Sequence, residues 1–174
     1  MPRRAVLSDE QRAALLALPD DETLLVQHWT LSRDDLAIIV RRRRPHNRLG
    51  FAIQLCALRY PGRFLRPGEL IPDTPLAFVA EQLQVGPEVL ADYATRGPTR
   101  YEQLDALRDA FGFMPLSRPL RTTLQEWLLP IALTTTSGAG LARVMLDECR
   151  RRRIIVPGIS SVERMVAQAL LDAE

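Results

Sequence analysis

The sequence predicts an all-α protein of two small helical subdomains, the first containing a helix-turn-helix-like pair of helices. Apolar residues recur at helical spacing along most of the 174 residues, and capping residues or Pro and Gly residues punctuate them. Apart from Ile154–Val156, no segment alternates apolar and polar residues for long enough to predict a strand. With 47% hydrophobic residues, the chain is long enough to bury a core.

Three helices are expected before Pro45, at about residues 8–18, 20–29 and 32–44. Ser8 and Gln11 form a capping box at the start of the first helix. Ser32 caps the third helix, whose last turn is expected to hold the run Arg41–Arg44. Positive charge at that end suits the helix dipole.

A fourth helix is predicted from about Asn47 to Tyr60. It is apolar nearly all round, which predicts that it is buried. Gly50 lies inside it at a cost of roughly 1 kcal/mol relative to Ala, so we expect a close packing contact there. Proline and glycine residues at 67, 68 and 72 then mark a boundary, and we assign 1–68 to the first subdomain and 73–174 to the second.

Six helical segments are expected in the second subdomain, at about 74–84, 86–95, 99–112, 117–134, 140–153 and 160–174. Thr99 is predicted to cap the third of these and Ser160 the last. Pro130 is expected to kink or divide the long segment after Ser117. Because the last helix reaches Glu174 without a glycine or proline to end it, we expect the chain to continue into a longer protein.

Charge is strongly segregated along the chain. All 23 basic residues are arginine, and eight of them lie between Leu36 and Gly68, where there is no carboxylate. Arginine's planar fork suits phosphate, so this segment predicts contact with a nucleic-acid backbone. The alternative for Arg41–Arg44 is a solvated face that complements the helix dipole.

The arginine-rich segment also contains two residues with amide side chains. Asn47 and Gln54 are candidates to contact a base edge, because amides pair bidentately with adenine. For Asn47 the alternative is a helix cap, and for Gln54 it is a helix-surface amide, which we favour. Arg48, in the first turn of its helix, is expected to share a phosphate through its side chain and backbone N–H. The complete set of candidate DNA-binding residues is Arg3, Arg4, Arg41, Arg42, Arg43, Arg44, His46, Asn47, Arg48, Gln54, Arg59, Arg63, Arg66, Arg118, Arg121, Arg150, Arg151, Arg152 and Arg153.

Catalytic chemistry is not indicated by the sequence. It has no Walker loop, GxGxxG, HExxH or GxSxG motif, and its paired acids lie near helix ends where capping explains them. Cys56 and Cys149 lie within helical apolar patterns and are interpreted as reduced core residues. We therefore expect no catalytic residues, no cofactor, no metal and no membrane partner, in a cytoplasmic protein.

The segment RLGFAIQLCALRYPG at Arg48–Gly62 closely resembles the N-terminal region of Tn3-family transposases. Further matching segments follow in the same order over nearly the whole chain: MPRR with the opening to Pro19, TLSRDDLAII at Thr30–Ile39, DAFGF at Asp109–Phe113 and IIVPGISSVER at Ile154–Arg164.

This resemblance implies a region that recognises the terminal inverted repeats of a transposon through consecutive helical DNA-binding subdomains. It also implies that catalysis lies elsewhere, since the family's Asp-Asp-Glu metal-binding triad belongs to a C-terminal RNase H-like domain that nothing in this chain matches. The expected partners are double-stranded DNA at the terminal inverted repeat, the remainder of the transposase chain and a second copy on paired ends. The resemblance also implies a bacterial, nucleoid-associated protein.

Two alternatives to end recognition stay open at this stage. One is a helical protein-interaction or assembly module of the transposase, which would self-associate without affinity for DNA. The other is a truncated transposase that acts as a repressor, which differs from the first hypothesis only if the natural gene ends near Glu174.

Overall fold

The all-α prediction is confirmed. The structure, a computed structural model, describes residues 5–93, 97–156 and 158–174, and of residues 97–100 it describes the backbone only. Within these residues it contains α1 (Asp9–Leu15), α2 (Glu22–His28), α3 (Arg33–Ile39), α4 (Pro45–Arg59), α5 (Asp73–Leu83), a 3₁₀ helix (Pro87–Asp92), α6 (Gly97–Phe111), β1 (Met114–Pro115), α7 (Arg118–Ala132), α8 (Gly138–Arg151), β2 (Ile154–Ile155) and α9 (Ile159–Asp172).

The described residues form two compact units, which we call terminal and central. The terminal unit comprises the residues up to Ala17, Pro61–Arg63 and Met114–Glu174, and the central unit comprises Leu18–Tyr60 and Phe64–Phe113. The subdomain boundary predicted at residues 68–73 lies inside the central unit. The assignment of 1–68 and 73–174 to separate subdomains stays a prediction.

The terminal unit packs α7, α8 and α9 against one another, with Leu7 and Leu16, which flank α1, completing the core. Leu124, Leu141 and Val166 are fully buried in it. Residues Ile154–Ile155 form β2, as the sequence suggested, and pair in parallel with β1 in the register Met114 to Ile154. Pro130 does not divide α7, because the helix continues to Ala132 and only its last residues lie beyond the proline.

The central unit is built around α4. Every residue from Leu49 to Leu58 is buried, and α3, α5, α6 and the 3₁₀ helix all pack against this helix. The close contact expected at Gly50 is confirmed, because a Cβ atom there would lie 2.0 Å from the ring of Tyr93. The helix-turn-helix-like pair is not confirmed: α4 is enclosed by its neighbours over most of its length, so only its first turn is accessible.

Local capping explains several helix boundaries. The capping box of Ser8 and Gln11 is present, and Ser32 caps α3 in a box with Asp35. The cap predicted at Ser160 is wrong, since α9 begins one residue earlier at Ile159, after Gly158. The cap predicted at Thr99 lies outside the described side chains.

Cys56 and Cys149 are both free and buried. Burial raises the pKa of the Cys56 thiol to about 12 and that of Cys149 to about 11, so both are neutral core residues at physiological pH. Among the described residues, no helix combines the length and hydropathy needed to cross a bilayer.

Candidate nucleic-acid interface

The four residues Arg41–Arg44, which we call the arginine loop, connect α3 to α4. The prediction that they form the last turn of α3 is wrong, because that helix ends at Ile39 with Val40 as its C-cap. Pro45 takes the first position of α4, two residues before the predicted start. A residue that precedes proline avoids helical geometry, and Arg44 is extended, with φ −107° and ψ 143°.

Three arginines of the loop are free to meet a ligand. Arg41, Arg43 and Arg44 are exposed, and none of them forms an ion pair within the described part of the chain. Unneutralised guanidinium groups in consecutive positions produce a concentrated positive potential. Such a potential favours the binding of an anion.

Arg42 and Arg48 have a different environment. The guanidinium of Arg42 lies 4.4 Å from the ring centroid of Phe51, in a cation–π contact. Arg48 donates from Nε to the carbonyl oxygen of Arg42 at 2.6 Å and from its terminal nitrogen to that of Val40 at 3.3 Å. Both side chains are therefore engaged with the protein.

The first turn of α4 opens beside the arginine loop. Arg44, the N-cap, makes no side-chain hydrogen bond to the helix, and no acidic residue lies in the first turn. Exposed N–H groups and the positive end of the dipole favour an anion at such a terminus. The expectation that the backbone N–H of Arg48 contacts phosphate is wrong, since that group donates to the carbonyl oxygen of Arg44 at 3.0 Å.

A concavity of about 430 Å³ joins these features. It is lined by Arg41, Arg42, Arg43, Arg44, Asn47, Glu102 and Gln103. Glu102 is exposed, so one carboxylate faces the arginines. Gln103 is 3% exposed, and its Oε1 has no hydrogen-bond partner among the described atoms. Asn47 is half-buried in the wall and is not the cap of α4, because Arg44 holds that position.

Arg59 is held in an ion pair inside the central unit. Its two terminal nitrogens donate to Asp35 at 2.7 and 2.8 Å, and its guanidinium lies 5.5 Å from the ring centroid of Phe111. Burial acts to raise the pKa of Asp35, but the bonds from Arg59 and Ser32 outweigh it and lower that pKa. Arg59 is therefore part of the core architecture, although the sequence offered it as a DNA contact.

Two further candidates are committed to the fold. Gln54 is 1% exposed and accepts a hydrogen bond from the backbone N–H of Leu65 at 2.9 Å. The interpretation of Gln54 as a helix-surface amide is wrong, because α4 is buried on every side there. Arg63 is buried in the terminal unit and donates from Nε to the carbonyl oxygen of Leu16 at 2.8 Å.

The other candidates of the central unit are more accessible. Arg66 is exposed in the segment after Leu65, and its backbone N–H donates to Glu69 at 2.9 Å. His46 is half-buried in the first turn of α4. Both therefore stay candidates for DNA contact.

The residues Arg150–Arg153, which we call the helical arginine cluster, end α8 in the terminal unit. Arg151 and Arg152 both donate to Glu148, the latter at 2.7 Å from Nε to Oε1. Arg150 donates to Asp147 and to the carbonyl oxygen of Pro61 at 2.9 Å. The hydrogen bond from Arg151, supported by Arg152, lowers the pKa of Glu148 to about 2.

The remaining basic candidates of the terminal unit lie at its surface or are not among the described residues. Arg118 is exposed and Arg121 is half-buried at the start of α7, without an ion pair to a described residue. Arg153 is exposed, with φ 56°. Arg3 and Arg4 lie outside the described residues.

Sequence reasoning missed two features of this interface. It did not place Glu102 and Gln103 opposite the arginine loop, because they follow it by about 60 residues and no spacing rule connects them. It also assigned Arg48 to the ligand, although the carbonyl groups of Val40 and Arg42, just after the end of α3, accept hydrogen bonds from this side chain.

Comparison with known proteins identifies the family. Residues 6–169 match the family model described as "Domain of unknown function (DUF4158)". The chain is 42% identical over 173 residues to the transposase for transposon Tn21 from Escherichia coli, which covers 99% of this chain and 18% of that protein.

Relatives from other bacteria are also transposases. The transposase for transposon Tn501 from Pseudomonas aeruginosa is 37% identical, with 99% of this chain and 18% of that protein covered. For the transposase of Tn1546 from Enterococcus faecium the identity is 36%, with 98% and 17% covered. The chain thus spans less than a fifth of the length of these relatives. It belongs to the DUF4158 family, and its similarity to transposases of the Tn3 family is confirmed.

Proposed function

We propose that this chain is a sequence-specific DNA-binding region of a Tn3-like transposase that recognises the transposon's terminal inverted repeats and is not catalytic by itself. One observation carries the proposal. The arginine loop presents three exposed arginines, none paired with a described acid, beside the uncapped first turn of a 15-residue helix. These exposed guanidinium groups line one concavity next to the N-terminus of α4, where the positive end of the helix dipole also favours a phosphate backbone.

Sequence recognition needs contacts to base edges as well as phosphates. Asn47 lies in the wall of the concavity, where its amide is available for a bidentate pair with adenine. Arginines of the loop are suited to the O6 and N7 atoms of guanine. The groups that hold the backbone and those that read bases would then come from one short segment of α3–α4.

The terminal unit offers additional basic side chains. Arg118 and Arg121 begin α7 in a segment where no acid lies in the first helical turn. Positive charge at a helix N-terminus is slightly unfavourable without a partner, and a phosphate there would compensate for it. Together with Arg3, Arg4, Arg66 and Arg153, these residues are the proposed secondary contacts to the duplex.

A second candidate function is an assembly module of the transposase. The central unit has an apolar groove of about 910 Å³, lined by residues that include Leu65, Leu76 and Leu90. At its edge Leu70 is 91% exposed and Tyr101 is 71% exposed. Exposed apolar surface of this kind favours contact with the remainder of a transposase chain or a second copy.

A binding titration tests the two candidates. The chain is titrated with a duplex of the cognate transposon end and with a scrambled duplex of equal length, at two salt concentrations. End recognition predicts at least about a hundredfold preference for the cognate duplex, equivalent to roughly 2.7 kcal/mol. If roughly five phosphates are neutralised, log K falls against log salt with a slope near −4 to −5.

The other outcomes contradict the proposal in different ways. Equal affinity for both duplexes would make the chain a general DNA-binding arm without end recognition. Absence of binding to either duplex, combined with self-association that is insensitive to salt, would establish the assembly module instead.

A further inference from the structure

We infer that Arg48 is a positioning residue of the DNA interface, which fixes the arginine loop without itself holding a phosphate. The inference rests on the proposed function for its consequence, namely DNA affinity. That Arg48 fixes the loop is a statement about the protein without DNA. The inference also divides the arginines of residues 41–48 into those that are exposed to a ligand and those that hold the loop in place.

The first step concerns what Arg48 binds. Helix α3 ends at Ile39, and the backbone N–H of Arg42 donates to the carbonyl oxygen of Ile39, so the carbonyl groups that need another donor are those just after the helix. Arg48 supplies two donors to this region, at 2.6 Å to the carbonyl oxygen of Arg42 and at 3.3 Å to that of Val40. Its planar fork reaches both oxygens at once, which a lysine ammonium does not reproduce.

The second step concerns charge. The carbonyl end of a helix carries a partial negative charge, and a guanidinium there is stabilised by it. The positive charge of Arg48 is thus directed into the protein at the end of α3. Two of its five N–H donors, Nε–H and one on a terminal nitrogen, are engaged by the backbone of the segment before α4.

The third step concerns the loop as a whole. Arg42 is anchored over Phe51 at 4.4 Å, and its carbonyl group is anchored by Arg48. Both the side chain and the backbone of Arg42, the second residue of the loop, are therefore held in place. Arg41, Arg43 and Arg44 are exposed on either side of this fixed point. An ordered loop loses less conformational entropy when it binds, so fixing it strengthens binding without a direct contact.

Lysine substitution distinguishes a positioning residue from a phosphate contact. We compare Arg48→Lys and Arg48→Ala with Arg43→Lys and Arg43→Ala, using the whole chain and the cognate duplex. A phosphate contact tolerates lysine, so Arg43→Lys is expected to keep its affinity within about threefold of the parent chain. Both Arg48 variants are expected to lose affinity by about tenfold, because lysine does not replace the fork.

Limited digestion with trypsin tests the structural part without DNA. Trypsin cleaves after Arg41, Arg42 and Arg43, whereas Pro45 protects the bond after Arg44. Cleavage in the loop is expected to become about tenfold faster in both Arg48 variants and to stay unchanged in Arg43→Lys, which keeps a cleavable residue. Circular dichroism is used to check that each variant retains the helices. If Arg48→Ala does not fold, Arg48→Lys alone is used for the binding and digestion measurements.

Two results would overturn the inference. Wild-type affinity in Arg48→Lys together with weak binding in Arg48→Ala would identify Arg48 as a phosphate contact. Unchanged trypsin sensitivity in both Arg48 variants would show that the loop does not depend on this side chain. If the parent chain binds no DNA, the proposed function fails, while the digestion experiment still decides whether Arg48 fixes the loop.

Discussion

The arginine loop and the helical arginine cluster are each four consecutive arginines at the end of a helix, yet their surroundings are opposite. In the loop, three guanidinium groups are exposed and form no ion pair with any residue that the structure describes, and the fourth stacks on Phe51. In the cluster, Glu148 and Asp147 receive hydrogen bonds from three of the four. Equal composition therefore gives an open positive surface in one place and an internally neutralised one in the other.

The difference follows from what lies three and four residues earlier. Asp147 and Glu148 precede Arg150, Arg151 and Arg152 at helical spacing, so the side chains meet on one face of α8. The residues from Leu36 to Val40 that precede the loop contain no acid, and the helix ends before the arginines begin. An arginine run thus predicts a ligand surface only where no acid precedes it within one helical turn.

The largest expected effect comes from removing the open charges. Combined replacement of Arg41, Arg43 and Arg44 with Ala removes three proposed phosphate contacts. The salt slope should become less steep by about 2.7, and affinity for the cognate duplex near 0.15 M salt should fall about 100-fold. Fluorescence anisotropy over a salt series measures both quantities.

Arg151→Ala is the matched control for that experiment. Arg151 is 70% exposed but is hydrogen-bonded to Glu148, so its loss should change DNA affinity less than about twofold. Comparable losses from the control and the triple variant would show that pairing with an acid does not determine which arginines meet DNA.

A smaller effect, on stability, is expected from breaking the pairing of the cluster. Glu148 is 8% exposed and binds two arginines, so Glu148→Gln should lower the free energy of unfolding by about 2 kcal/mol. Denaturant titration followed by circular dichroism measures the change. Glu126→Gln, the same substitution at an exposed position of α7, should stay within about 0.5 kcal/mol of the parent chain. Equal stability of Glu148→Gln and Glu126→Gln would show that the hydrogen bonds between Glu148 and the helical arginine cluster do not stabilise the fold.

The same carboxylate predicts a pH dependence. Its pKa is lowered from 4.5 to about 2 in the folded chain, so its contribution to stability is complete above pH 4.5 and is lost as the pH falls toward 2. The stability difference between the parent chain and Glu148→Gln should shrink over this interval. A difference that stays constant from pH 5 to pH 2 would mean that Glu148 is not stabilised by its arginines.

The sequence was sufficient for the fold class and for several features of single helices. The capping box of Ser8 and the cap at Ser32 follow from residues near one another in the chain. The apolar composition of α4 predicted its burial and the close packing at Gly50, but not that Tyr93, in a distant segment, makes that contact. The helix-turn-helix interpretation failed because the pattern gave the size of two helices but not how many neighbours enclose the second.

Interactions between distant residues account for the rest of the errors. Arg59 pairs with Asp35, 24 residues away, and Gln54 meets a backbone N–H in the segment after α4. Counting charges cannot separate such an arginine from a free one, because only tertiary packing shows which guanidinium has a partner. For the same reason eight arginines in one segment overstated the accessible charge.

The smallest effect tests the one carboxylate on the concavity. Glu102 faces the arginine loop and should oppose an incoming phosphate, so Glu102→Gln is expected to strengthen binding to both duplexes about threefold. Glu81→Gln, at an exposed position of α5 in the same unit, is the control and should change affinity by less than twofold. If Glu102→Gln instead weakens binding to the cognate duplex alone, Glu102 accepts a hydrogen bond from a cytosine amine. In that case the acid opposite the arginine loop would contribute to base selection, and the concavity would combine phosphate binding with readout.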